Sequence, residues 1–125
     1  MEVGRLLADA GALVIGGGLG GVNEAAARGA AERGGTTIGL LPGDDRSAAA
    51  EHLSIALPTG LGQGRNLLIV TAADSVIAIG RGWGTLSEIA LARRLGKRVI
   101  ALNTWDVEGL EVASSAADAV RRALA

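Results

Sequence analysis

The sequence lacks cysteine, phenylalanine and tyrosine, and has one histidine and one lysine in 125 residues. Without cysteine there are no disulfides, no thiolate zinc site and no thiol catalysis. A single imidazole, His52, makes a histidine-rich metal centre or a Ser-His-Asp triad unexpected, so no metal site is expected. The only aromatic rings are those of Trp83 and Trp105, too few for a base-stacking platform. Twelve basic against thirteen acidic side chains leave a net charge of −1, without the basic footprint of a nucleic-acid binder. Nucleic acid is therefore not an expected partner. No apolar run reaches the roughly 18 residues of a membrane span, and no signal-peptide pattern opens the chain. The expectation is one soluble, cytoplasmic domain spanning residues 1–125.

What is abundant is small. Twenty glycines and 24 alanines make up more than a third of the chain, and Leu, Ile and Val supply 34 further residues. Apolar runs, glycine turns and alanine-rich stretches alternate. Residues 2–10 carry Val3, Leu6, Leu7 and Ala10 at helical spacing. Residues 12–15 read as a strand and residues 22–33 as a helix closed by Gly34-Gly35. Residues 36–41 and 54–57 are the next strands, with a polar stretch at 44–51 between them. The second half repeats the rhythm: a helix at 66–73, a strand at 75–79, a helix at 85–95, a strand at 98–102 and a closing helix at 113–123. Strands without a polar face, alternating with helices, imply a parallel sheet covered on both sides. The fold class expected is α/β, a doubly wound, Rossmann-like three-layer domain.

Such folds begin on a strand followed by a phosphate loop, whereas this sequence opens on a helix. The expectation is that about 20 upstream residues form that strand, placed between the strands at 12–15 and 54–57.

Ligands of parallel α/β sheets sit beyond the C-terminal strand ends, where the glycines of this chain fall. Gly16-Gly17-Gly18-Leu19-Gly20-Gly21 follows the first strand and precedes Glu24. Backbone N–H groups free of Cβ atoms suit phosphate, and a tight structural turn suits the same pattern. No Lys-Ser/Thr follows, which excludes an ATPase-type P-loop. Pro58-Thr59-Gly60-Leu61-Gly62-Gln63-Gly64-Arg65-Asn66 follows another strand. Arg65 is either a bidentate anion ligand or an arginine on a solvated face. Gly80-Arg81-Gly82-Trp83-Gly84-Thr85-Leu86-Ser87-Glu88 opens a helix. Thr85 and Glu88 have capping-box spacing, with Thr85 at the N-cap. The alternative is an anion at this N-terminus, with Glu88 on a ribose hydroxyl or acting as a general acid/base.

The ordered motifs G-G-G-x-G-G-V-x-E-A, G-L-L-P-G, P-T-G-L-G-x-x-R-N and G-x-G-x-G-T-L-S-E-I-A-L-A resemble the Lonely Guy (LOG), or "lysine decarboxylase-like", superfamily. Within it they are most similar to the bacterial branch resembling the molybdenum cofactor carrier protein. The resemblance implies a Rossmann-like sheet, a homodimer or homotetramer, and a site for a phosphorylated nucleotide or pterin. The ligand-binding residues it implies are Gly16, Gly17, Gly18, Gly20, Gly21, Glu24, Thr59, Gly60, Arg65, Asn66, Gly82, Gly84, Thr85 and Glu88. In LOG enzymes, which cleave the N-glycosidic bond of cytokinin riboside monophosphates, the signature P-G-G-x-G-T-x-x-E supplies a catalytic glutamate. Glu88 matches it, and Arg65 matches the arginine of the enzymes' M-H-E-R-K segment. Gly80 and Arg81 depart from that signature, and G-Q-G-R-N replaces M-H-E-R-K.

Two functions follow. One is a carrier for a phosphorylated nucleotide-like or pterin ligand, with no obligatory cofactor and the molybdenum cofactor or a nucleotide as cargo. The other is a phosphoribohydrolase using Glu88 and Arg65. An N-glycosidase also needs a group to orient the attacking water, and no residue here is evident for that, which favours the carrier. Among the remaining polar residues, His52 is expected on the surface or in packing, and Asp44 and Asp45 in a solvated turn. Trp105 and Asp106 are expected to be structural. Trp83 either covers a ligand ring or fills a subunit contact, and Arg81 either reaches the anion or points to solvent.

Overall fold

The computed structural model describes residues 1–17, 22–49 and 51–125. The chain forms two compact units, Met1–Arg65 and Asn66–Ala125.

In the first unit, α1 (Glu2–Asp9) and α2 (Val22–Glu32) accompany β1 (Val14–Gly16), β2 (Thr37–Leu41) and β3 (Ile55–Pro58). The strands form one parallel sheet in the order β1-β2-β3. This corrects the expectation about its centre. The place between residues 12–15 and 54–57 is held by β2, which pairs Val14 with Thr37 on one edge and Ile38 with Ile55 on the other. Four of the five β2 residues are buried, as a central strand requires. The buried Thr37 also serves the crossover: its hydroxyl donates to the His52 carbonyl (3.1 Å) and accepts from the Ser54 N–H (3.0 Å).

The abundance of small residues is explained where α1 meets α2. A Cβ on Gly4 would lie 2.0 Å from the Ala26 carbonyl oxygen, and one on Gly29 would lie 2.0 Å from that of Met1. The two backbones touch, with Ala27 and Ala30 buried beside them. Ion pairs from Arg5 to Glu32 (2.7 Å) and from Arg33 to Asp9 (2.8 Å) flank the crossing. Both pairs are exposed and screened by solvent, so they add little. Backbone contact, not charge, sets this packing.

In the second unit, α3 (Arg65–Ala72) leads to β4 (Ser75–Gly80), α4 (Trp83–Arg94), β5 (Arg98–Thr104), β6 (Glu111–Val112) and α5 (Ala116–Ala123). The sheet is again parallel, in the order β4-β5-β6. Its strands alternate between two cores, as a period of two requires. Ala78 and Val99 pack with Val70, Ile89 and Ala92 of α3 and α4, while Ile77, Ile100 and Leu102 pack with Ala119 and Ala123 of α5. Helices therefore cover both faces, as the apolar runs imply. At the C-terminal end of α3, the Lys97 ammonium donates to the carbonyls of Thr71 (3.3 Å) and Ala73 (2.7 Å).

Two details depart from the sequence expectation. β6 was not foreseen; it is held by a bidentate pair between Arg98 and the Glu111 carboxylate, which keeps the Glu111 carboxyl below its ordinary range. The closing helix starts at residue 116 rather than 113, because Ser115 caps it by accepting from the Asp118 N–H (3.0 Å).

The Asp118 carboxylate accepts from the Ser114 N–H (3.0 Å) and pairs with Arg122 and Arg121, which lowers its pKa to about 2. A carboxyl whose folded pKa lies below its unfolded value contributes stability above roughly pH 4, and loses it as pH falls through about 2. Asp118→Asn is therefore expected to lower the melting temperature at pH 7, with the gap to wild type closing between pH 4 and pH 2. Melting curves across that range test this; a gap constant with pH would refute it.

Candidate functional site

In the first unit the glycine turn after β1 places Gly16 at the strand end and buries Gly17; Gly18, Gly20 and Gly21 lie outside the described residues. The turns after β2 and β3 are tied together. The Thr59 hydroxyl donates to the Leu41 carbonyl (2.6 Å), and the N–H groups of Gly60 and Gly62 donate to the carbonyls of Gly43 and Pro42 (2.8 Å each). Gly60 and Gly62 have φ of 68° and 56°, where a Cβ is strained, so this turn needs its glycines for conformation.

Arg65 ends this segment and is only 8% exposed. One terminal nitrogen donates to the Gly62 carbonyl (3.2 Å), while Nε is buried with no partner among the described residues. A buried guanidinium donor without an acceptor costs about 1–3 kcal/mol. Burial of this side chain excludes the solvated-face reading of Arg65.

Glu24 lies in the first turn of α2, where Glu24 Oε1 is 2.8 Å from Nδ1 of His52. Their side chains are 29% and 34% exposed. His52 is a partly exposed residue whose ring is hydrogen-bonded to the Glu24 carboxylate. Asp45 behaves as expected of a solvated turn, accepting from the Ser47 N–H (2.9 Å).

In the second unit the capping box is not formed. α4 begins at Trp83 with Gly82 at the N-cap, so Thr85 stands at the third helical position and no side chain caps the end. The first helical bond runs from the Leu86 N–H to the Gly82 carbonyl (3.1 Å), leaving the first-turn N–H groups of Trp83, Gly84 and Thr85 without intrahelical acceptors.

An aromatic contact fixes this early start. The rings of Trp83 and Trp105 lie 5.2 Å apart at 32°, and the Trp105 indole N–H donates to the Gly82 carbonyl (3.0 Å). Trp105 also packs against the core, as its structural reading requires, whereas Trp83 is 78% exposed. Arg81 is exposed too.

A bulge aims Trp105. Ile79 pairs with Leu102 but Gly80 pairs with Thr104, so Asn103 is the extra residue, at φ 53°. The Thr104 hydroxyl then donates to the Gly80 carbonyl (2.5 Å). Beyond it opens a cleft of about 270 Å³ lined by Asn103, Trp105, Asp106, Leu110 and Val112 among others. Asn103 went unnoticed in the sequence; an Asn at the end of a strand is the available signal, since Asn tolerates this backbone region.

Glycines 82 and 84 differ from the packing glycines. Gly82 has φ −73°, Gly84 is an ordinary helical residue, and a Cβ on either would meet nothing within 4 Å. Neither the backbone conformation nor internal packing requires glycine there. Asn66 is buried with its amide 3.5 Å from the Ser87 hydroxyl, joining α3 to α4, and Glu88 is half-buried in the second turn of α4.

Parallel strands linked through helices, with turns and helix N-termini at the C-terminal strand ends, define a Rossmann-like α/β protein. The chain belongs to the SLOG cluster4 family, whose model matches residues 1–123. An uncharacterised protein of Archaeoglobus fulgidus is 42% identical over 120 residues, covering 95% of this chain and 79% of its own. The molybdenum cofactor binding protein of Rippkaea orientalis is 37% identical with a TM-score of 0.91, over 97% of this chain and 81% of that one. The molybdenum cofactor carrier protein of Chlamydomonas reinhardtii is 34% identical with a TM-score of 0.87, over 98% and 84%. These likenesses agree with the family resemblance and the fold class read from the motifs. Among the described residues no helix is long and apolar enough to cross a membrane.

Proposed function

We propose that this protein is a cytoplasmic, homo-oligomeric carrier that binds the molybdenum cofactor, or a closely related pterin phosphate, as cargo. The observation that carries the reading is the uncapped start of α4. Its glycines at 82 and 84 serve neither fold nor packing, and its free N–H groups with the helix dipole suit a phosphate. A Cβ at these positions would occupy the space from which an anion reaches the backbone. In the second unit Gly82, Gly84 and Thr85 are assigned the phosphate contacts; in the first unit Arg65 is assigned, by itself, as a charge-assisted donor for an anion. The glycine turn at Gly16 to Gly21 with Glu24, the Thr59-Gly60 turn, and Asn66 and Glu88 complete the set of residues assigned to ligand binding. The similarity to two molybdenum cofactor proteins supplies the ligand class.

The test uses the only two tryptophans, one of which opens α4 while the other stacks on it. Titration with molybdenum cofactor, with AMP and with inorganic phosphate is expected to change tryptophan fluorescence saturably, most tightly for the cofactor. Gly84→Ala is expected to weaken binding about tenfold while leaving the melting temperature equal or higher, since alanine is the better helix former by up to about 1 kcal/mol. Unchanged affinity in Gly84→Ala, or no saturable binding, would refute the reading. Release of free adenine from AMP, abolished by Glu88→Ala, would replace it with the phosphoribohydrolase.

A further inference from the structure

We propose that Glu24, Glu51 and His52 form a binding site for a divalent first-row transition ion, with zinc as the type case. The site lies in the first unit; it shares Glu24 with the residues assigned to the cargo but rests on the geometry of the three side chains alone. One donor atom from each of the three side chains lies within 4.8 Å of the other two. They come from two places in the chain, the first turn of α2 and the segment entering β3, and the fold alone brings them together.

The arrangement has the chemistry of a metal site rather than of an acidic patch. Two carboxylates and one imidazole give the mixed oxygen and nitrogen set that suits zinc and its neighbours. Their charge of −2, with the imidazole neutral, balances a divalent ion. Calcium takes six to eight oxygen ligands, and magnesium is held by oxygens in a near-ideal octahedron, so an imidazole with two carboxylates suits neither.

Distances support the same conclusion. Zinc bonds of about 2.0–2.2 Å in a tetrahedron put neighbouring donors about 3.4 Å apart. His52 Nδ1 and Glu24 Oε1 stand at 2.8 Å, and the third donor is within 4.8 Å, so small side-chain rotations suffice. The backbone beneath is fixed, because the His52 carbonyl accepts from the buried Thr37 hydroxyl. Three protein donors leave a fourth position for water or an anionic oxygen.

The composition makes the experiment clean: the chain has one histidine and no cysteine, so no other imidazole or thiolate competes. Untagged protein is titrated with zinc chloride by calorimetry and by proton NMR of the His52 ring. The expected result is one equivalent bound, with the ring resonances shifting to saturation at that ratio. Glu51→Gln, Glu24→Gln and His52→Asn should each weaken binding about tenfold or more. Glu51 is exposed, so Glu51→Gln remains decisive if a His52 variant fails to fold. Absence of saturable binding, a silent His52 ring, or a Glu51→Gln variant that binds as wild type would overturn the proposal.

Discussion

Gly29→Ala is expected to lower the melting temperature by about 10 °C, equivalent to about 3 kcal/mol. Helix propensity argues for the opposite sign, since alanine in a helix interior is favoured over glycine by about 1 kcal/mol. The added Cβ, however, would sit 2.0 Å from the Met1 carbonyl oxygen, which is backbone and cannot rotate away. α1 and α2 must separate, and the packing around Val3, Ala27 and Ala30 is loosened with them. Gly4→Ala meets the Ala26 carbonyl at the same distance and should behave alike. Thermal unfolding of both variants decides the matter. A melting temperature equal to or above that of wild type would show that the two helices do not touch as described.

If the proposed cargo binding holds, Arg65→Met is expected to cost on the order of 100-fold in affinity for that cargo, the effect of losing charge-assisted hydrogen bonds. Its stability is expected to stay level or rise. A buried guanidinium with an unpaired Nε is already at a disadvantage in the unliganded protein, and a hydrophobic residue of similar length removes that cost. Arg65→Lys should restore little, because an ammonium cannot present the planar fork. A purely structural arginine would give the reverse pattern, with stability lost and affinity for cargo retained. Equilibrium binding and melting temperature, measured on the same samples, separate the two.

The parallel strands and covering helices were legible because strands buried on both faces read as unbroken apolar runs, such as Val76 to Ile79 and Val99 to Leu102. The order of strands within the first sheet was not. β2 is central because it alone pairs on both edges, and nothing local in Thr37 to Leu41 announces two neighbours rather than one. The start of α4 was misread for a related reason. Thr85 and Glu88 have the right spacing for a capping box, but the contact between Trp83 and Trp105, 22 residues apart, carries the helix two residues further back. The same holds for β6, whose pairing rests on Arg98 reaching Glu111, and for His52 meeting Glu24 across 28 positions. The glycine turns marked the strand ends correctly, yet their composition alone does not distinguish those kept for helix contact, such as Gly4, from those the fold does not need, such as Gly84.

Lys97 gives the chain an unusual chemical simplicity. Because every other basic side chain apart from His52 is arginine, these 125 residues carry one side-chain primary amine. That amine is engaged at the C-terminal end of α3, holding the carbonyls of Thr71 and Ala73. An amine-directed acylating agent therefore meets a single lysine side chain in these 125 residues, and that side chain must release the carbonyls of Thr71 and Ala73 to react. Acetylation of Lys97 would remove the positive charge that complements this helix's C-terminal dipole, so any amine modification becomes a local perturbation of the junction between α3 and β4.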